Sequence, residues 1–275
     1  MLATSLRHLG AEYVARPEPL AAVGAGAVTA IALMHPWANR LGGRRYRAAG
    51  RRVDLGGLAL PTDEHGLPLH GNLTGAPFAV DALRADRIVA HRIHAADDDR
   101  ARFAAFPYPH RLEVRARLDG RRGLTVTTTV RPTSGRPVPV AFGWHPYLRL
   151  PSGSRSGWEL VLPRREHIAL DPRRLPTGVR TPERATRVAL SGLALDDHFA
   201  LAGRRAIALG NGTHRVTVGF GSGFPFVQIY APARRRFVAS EPMTAPIDGL
   251  RRGRVPVVTP GHRFATSFTI AVGAD

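Results

Sequence analysis

Five short stretches place titratable or hydrogen-bonding side chains in apolar or turn-like surroundings: MHPWANRLGGRRY (34–46), GLPLHGN (66–72), FGWHPYLRL (142–150), LDDHFAL (195–201) and FVASEPMTAPIDG (237–249). Glu241 is the sharpest of them. It follows the apolar run FVAS, which reads as a strand, and precedes Pro242, which is expected to end regular pairing and fix the chain direction. Read alone, such a carboxylate is a solvated strand terminus. Beside a histidine it becomes half of the smallest kit for general acid–base catalysis near neutral pH. His145, between Trp144 and the pair Pro146-Tyr147, reads alone as a turn histidine packed by its aromatic neighbours. His70, between Leu69 and Gly71, reads alone as a buried histidine bonded to a backbone carbonyl. Arg40 follows Trp37 and Asn39 in a turn punctuated by glycine, which sets it apart from the many dispersed arginines.

Other chemistries find less support. Asp63, Glu64, His65 and His70 are close in sequence but match none of the short spacings of zinc motifs, so no metal is expected. The chain has no cysteine, which removes disulfides, thiolate metal sites and cysteine nucleophiles. A reducing compartment fits, and a cytoplasmic location is the expectation.

The elements that must position these groups read as strands. GLTVTTTVRP after Arg121 and Arg122, HRVTVGF (214–220), FPFVQIYAP (224–232) and HRFATSFTIAV (262–272) are β-branched, aromatic or alternating, with turn signals such as LDGRRG, PTSGRP and LPSGSRSG between them. Short strands without strand–helix alternation predict an all-β sandwich or barrel with few short helices, one of them near residues 171–190. The Pro/Arg-rich tracts 131–139 and 163–184 read as surface loops. The run LAAVGAGAVTAIALM (20–34) falls short of the ~20 residues of a membrane-spanning helix and carries glycines, so it reads as buried strand, with no membrane partner.

At 275 residues, 44% hydrophobic and 22% charged, the chain can bury a sizeable core, and a single domain over 1–275 is expected. A net charge of +18 would ordinarily raise nucleic acid as a partner. All 39 basic residues are arginine, however, scattered in twos and threes among alanine, glycine and proline, and no nucleic-acid recognition motif accompanies them. No nucleic-acid partner is expected.

HPWANRLGGRRY, LHGN, GWHPYL, LDDHF, VQIY and SEPMTAP occur in the order and approximate spacing of the aldose 1-epimerase (mutarotase) family, and the chain resembles that family from about Leu6 to its end. The resemblance implies a large antiparallel β-sandwich of galactose-mutarotase type with a sugar cleft on one sheet, and interconversion of the anomers of a free aldose without a cofactor. It puts the general base on Glu241 and the general acid on His145. It puts substrate contacts on Asn39, Arg40, His70, Tyr147, Gln228 and Asp196, the last chosen over Asp197 by counting back from Phe199. Trp37, Trp144 and Tyr147 offer either ring faces to a sugar or core packing. A small sugar is the implied partner, with a monomer or homodimer as the assembly. The segment LRHLGAEYVA reads as a strand pair that many members precede with further residues, so one edge of the sandwich is expected to be short. The abundance of arginine leaves a hexose 6-phosphate open as substrate, and a non-catalytic carbohydrate-binding sandwich is the reading from a different class.

Overall fold

The structure, a computed structural model, describes residues 1–120, 123–203 and 205–274. Two large antiparallel sheets pack face to face, their strands numbered here in chain order. Sheet one runs β1 (Leu2–Ala3), β2 (Ile31–Met34), β7 (Gly143–Leu148), β16 (Val238–Met243), β15 (Phe226–Ala231), β12 (Leu195–Leu201), β9 (Arg165–Leu170), β10 (Pro176–Glu183). Sheet two runs β11 (Thr186–Ala189), β8 (Glu159–Leu162), β13 (Ala206–Gly210), β14 (His214–Phe220), β17 (Phe264–Ala274), β6 (Gly123–Pro132), β5 (His110–Asp119), β4 (Arg87–His94), β3 (Ala79–Arg84).

Alternation builds the interface between them. In β6, Leu124, Val126, Thr128 and Val130 point inward while the threonines between them face out, the period of two that a half-buried strand requires. From sheet one, Trp144, Leu148, Phe199, Val227, Ile229 and Val238 enter the same core. Trp144 crosses the gap: its ring lies 5.7 Å from that of Phe268, and its indole N–H donates to Thr128 Oγ1 at 2.9 Å. Burying an aromatic body while satisfying its one polar atom is what makes such a residue a strong core anchor.

Three local expectations are corrected. The run 20–34 is not one strand: Leu20–Ala25 form a 3-10 helix that ends at Gly26, whose φ of 95° is a left-handed cap, and only Ile31–Met34 pair in the sheet. No helix lies within 171–190, and the tract 163–184 is not a loop. Both are largely occupied by β9, β10 and β11, since Pro172, Pro176 and Pro182 work against a helix and Asp171 Oδ1 instead ties a turn through the Arg173 and Leu175 N–H groups. The one α-helix among the described residues is Arg100–Ala105, capped by Asp99, whose Oδ1 accepts from the Arg102 N–H at 2.9 Å. Arg121 and Arg122 lie outside the described residues. The edge strand β1 is two residues long, and LRHLGAEYVA forms the small hairpin Arg7–His8 with Ala11–Glu12.

Beside the core, His35, His94 and His110 cluster among Phe103 and Phe106. His110 Nδ1 donates to the Tyr108 carbonyl at 2.7 Å, so the neutral ring accepts at Nε2, and His35 Nε2 supplies the proton of their 2.9 Å bond. Burial keeps these rings neutral: His35 sits well below the ordinary histidine range and His110 at about 3. His198, fully buried in sheet one, is likewise pushed by burial to about 3. Unfolding returns each to its ordinary value near 6.5, so the unfolded chain binds the extra protons between those limits. The contribution of these rings to stability is therefore present above about pH 6.5 and is lost as pH drops below it, toward about 3 for His110 and His198. Urea unfolding at about pH 7.5 and about pH 5 should show a lower midpoint in acid, and His110→Gln should flatten that dependence. Equal pH slopes in the two proteins would contradict it.

Candidate active site

Sheet one has a core face and a polar face, and register decides what the polar face carries. β7 pairs with β16 at Gly143–Met243 and again at Tyr147–Ala239, which sets His145 opposite Glu241. Glu241 pairs with Gln228 in β15, and Gln228 with His198 in β12. Residues directly opposite in antiparallel strands share a face. One row therefore reads His145, Glu241, Gln228, His198, and the next reads Tyr147, Ala239, Tyr230, Asp196.

Between those two register points the β7–β16 ladder is interrupted, where Pro146 and Pro242 remove backbone donors. The strand nevertheless continues through Pro242 to Met243, and Pro242 still pairs with Val227, so the proline does not end β16 as expected. In the gap the side chains meet instead: His145 Nε2 is 3.0 Å from Glu241 Oε1, with the two residues 4% and 1% exposed. Tyr147 stacks on the His145 imidazole, centroids 4.1 Å apart, and Phe237 meets Tyr147 edge-on. Burial, with Glu241 nearby, drives the Tyr147 phenol far up, so it remains a neutral hydroxyl.

A second wall comes from loops. Bridges between His35 and Gly71 and between Arg40 and Leu69 lay residues 35–40 beside 69–71. Asn39 and His70 both adopt left-handed backbone, φ 57° and 59°, and bond each other: the His70 N–H donates to the Asn39 carbonyl at 3.0 Å, and the Asn39 N–H to His70 Nδ1 at 3.3 Å. That bond leaves the ring proton on Nε2. Burial, His145 and Arg40 together hold His70 well below the usual histidine range, so it is a neutral donor. Its ring stands edge-on to His145 with centroids 5.5 Å apart.

Arg40 is anchored on its far side. Nε donates to Asp63 Oδ2 at 2.5 Å and a terminal nitrogen to Asn39 Oδ1 at 3.2 Å. Burial alone would raise Asp63, but the Arg40 bond and the backbone donors of Leu67 and His65 outweigh it and hold the carboxyl below its ordinary range. Asp63 and His65 are thus engaged with Arg40 and Glu64 and do not converge with His70.

All eight predicted site residues fall on this face or its loop wall. Asp196 Oδ1 accepts from Gln228 Nε2 at 2.7 Å, whereas Asp197 points to the other side of β12, 3.3 Å from His167 Nε2. Trp37 and Trp144 belong to the core. The sequence reading missed Tyr230, His198 and Asp63. Tyr230 was legible, two residues beyond Gln228 on the same strand face; Asp63 was legible only through its long-range bond to Arg40. Buried polar atoms without protein partners concentrate in the central row: Glu241 Oε2, His145 Nδ1, Gln228 Oε1 and His198 Nδ1. A carboxylate–imidazole pair with hydroxyl, amide and guanidinium donors around it can take a proton from one hydroxyl and deliver one to a nearby oxygen.

The family model for aldose 1-epimerase matches residues 4–271. Among solved structures, a galactose mutarotase-like protein from Clostridium acetobutylicum superposes with a TM-score of 0.83 at 15% identity, covering 97% of this chain and 87% of that one. The aldose epimerase homologue from C. elegans gives 0.77 at 14% identity, covering 96% and 88%. Galactose 1-epimerase from Lactobacillus acidophilus NCFM gives 0.76 at 14% identity, covering 99% and 88%. These likenesses show the fold. No curated protein matches the chain by sequence.

Gly71 holds the loop wall against the sheet, with φ 71° and a position where a Cβ would stand 2.2 Å from the His35 carbonyl oxygen. Gly66 has the same φ but open space around it. Gly71→Ala should therefore cost well over ~2 kcal/mol in urea unfolding, and Gly66→Ala only the ~1–2 kcal/mol of the left-handed backbone. Equal losses would remove the close approach as the constraint.

Proposed function

The chain belongs to the aldose 1-epimerase family, and we propose that it interconverts the α and β anomers of a free hexose by acid–base opening and closure of the ring, without a cofactor. The observation that carries this reading is the buried contact of His145 Nε2 with Glu241 Oε1 across two strands, at 3.0 Å. Glu241 takes the proton of the anomeric hydroxyl as the protonated His145 gives one to the ring oxygen. The bond from the anomeric carbon to the ring oxygen then breaks, leaving an aldehyde and a new hydroxyl. Rotation about the adjacent carbon–carbon bond presents the other carbonyl face. Closure reverses the transfers: His145 recovers its proton from the attacking hydroxyl and Glu241 returns one to the anomeric oxygen. Each positioned transfer is worth ~10²–10⁴-fold. His70 Nε2–H and the Arg40 guanidinium are the donors suited to sugar oxygens, while Gln228, Asp196 and Tyr147 complete the grip.

A neutral sugar is favoured over a hexose 6-phosphate because the arginines of this face are compensated. Arg40 is paired with buried Asp63, and Arg174 Nε lies 3.6 Å from Asp196 Oδ2. Such guanidiniums donate hydrogen bonds but offer little net charge to a phosphate. A binding module using the same face would have no need of an acid and a base in contact. Among the described residues no helix is long and apolar enough to cross a membrane.

Anomer exchange followed by polarimetry or NMR should fall by ~10² or more in Glu241→Gln and in His145→Asn, with the thermal unfolding of each variant showing a retained fold. Glucose should turn over faster than glucose 6-phosphate. Full activity in Glu241→Gln would sink the mechanism, and a strict requirement for the phosphate would sink the substrate class.

A further inference from the structure

Away from the acid–base pair a cleft opens at the end of β7, where the turn between β15 and β16 meets the N-terminal segment. Its volume is about 480 Å³, within the range of small-ligand sites, and five arginines line it: Arg7, Arg16, Arg149, Arg235 and Arg236. They come from four separate stretches brought together by the fold. The Arg7–His8 hairpin strand pairs with Ala11–Glu12, Val14 bridges Leu148, and the Arg149 N–H donates to the Tyr13 carbonyl.

What distinguishes this cleft is how its charges are held. Elsewhere some arginines face carboxylates, as in Arg45–Asp54, Arg187–Glu159 and Arg251–Asp248, and others donate to carbonyls, as Arg155 and Arg205 do; here four guanidiniums without an ion pair among the described residues share one lining. Here the one carboxylate on the lining, Glu12, is already saturated: it accepts from Ser5 Oγ and from the backbone N–H groups of Leu6 and Val14, with Arg7 Nε at 3.5 Å. Arg149 donates to the Glu12 backbone carbonyl at 3.3 Å and Arg236 to the Gly153 carbonyl at 2.7 Å. A carbonyl fixes a guanidinium without neutralising it. Among the described residues Arg16, Arg149, Arg235 and Arg236 form no ion pair. Positioned, uncompensated guanidinium forks match phosphate oxygens bidentately.

We propose that this cleft binds a small molecule carrying two or more phosphate groups. It is separate from the acid–base pair. Arg149, just past the end of β7, lies four residues from His145, ~13 Å at strand rise, and buried Tyr147 and Phe237 stand between them. A hexose seated on Glu241 and His145 cannot reach it with a phosphate one ring away.

Calorimetric titration with inorganic pyrophosphate at low salt tests the proposal. The intact chain should show saturable one-site binding with Kd below about 1 mM. The double substitution Arg16→Ala/Arg235→Ala should weaken it at least ~10-fold; both side chains are exposed and hold no partner, so the fold should survive. Arg115→Ala on the outer face of sheet two, where Arg115 faces Glu113 at 3.8 Å, should leave binding unchanged. So should Glu241→Gln, which separates this proposal from the catalytic one. Equal weakening by Arg115→Ala, no saturable binding, or binding only of a long single-stranded DNA with a steep salt slope would overturn it.

Discussion

The contact between Glu241 and His145 is made possible by a break in the sheet. Two prolines on adjacent strands, Pro146 and Pro242, interrupt the ladder between β7 and β16, while register on both sides of the gap still holds the strands opposite each other. The backbone keeps its course and the side chains take over the cross-strand interaction. An ionisable pair 4% and 1% exposed is expensive, because desolvating two charges costs several kcal/mol each before their attraction is counted. The sheet can carry that expense because its other face, with Trp144, Val227, Ile229 and Val238, is fully committed to the core. Polar function is confined to one side of strands whose position the other side fixes.

The loop wall shows the same division between cost and support. Asn39 and His70 sit in left-handed backbone that residues with a Cβ occupy only at a cost, and such strain persists where the surroundings over-determine it. Here those surroundings are concrete: reciprocal bonds between Asn39 and His70, the Arg40–Leu69 bridge, and Gly71 pressed against the His35 carbonyl. Because Asn39 spends its side-chain oxygen on Arg40, and Asp63 its carboxylate, the guanidinium is aimed before any ligand arrives. Preorganisation of this kind reduces the ordering that binding would otherwise require.

Much of this was legible in the sequence, and the failures have identifiable causes. Alternation marked the long strands of sheet two, where polar and apolar residues separate cleanly, as in GLTVTTTVRP. It failed for β9 to β11, whose arginines and prolines look like loop composition although their backbones pair at the sheet edges. Glycine and apolar content made residues 20–34 look uniformly extended, and nothing local revealed that Pro19 and Gly26 bracket a 3-10 turn. Proline lacks a ladder donor, so the sequence alone reads Pro242 as a strand terminator. What the local rule could not contain was a second proline on the neighbouring strand, so that the missing bonds on both sides fall in one gap. Counting back from Phe199 selects Asp196 over Asp197, and the strand's alternation supplies the physical reason, turning one to Gln228 and the other to His167.

Histidine illustrates why local identity underdetermines chemistry. Five histidines are buried: His35, His94, His110, His145 and His198. Four of them face carbonyls, other imidazoles, backbone N–H groups or aromatic rings, surroundings that satisfy a neutral ring and penalise a charged one. His145 alone among the five has a carboxylate within hydrogen-bond distance. An imidazolium can be tolerated out of water only where an opposite charge compensates it, so the partner decides which buried histidine can carry a proton. That partner lies 96 residues away in the chain and is delivered by register, the relation that places Glu241 across from His145. The capacity for acid–base chemistry thus belongs to the strand pairing as much as to either side chain.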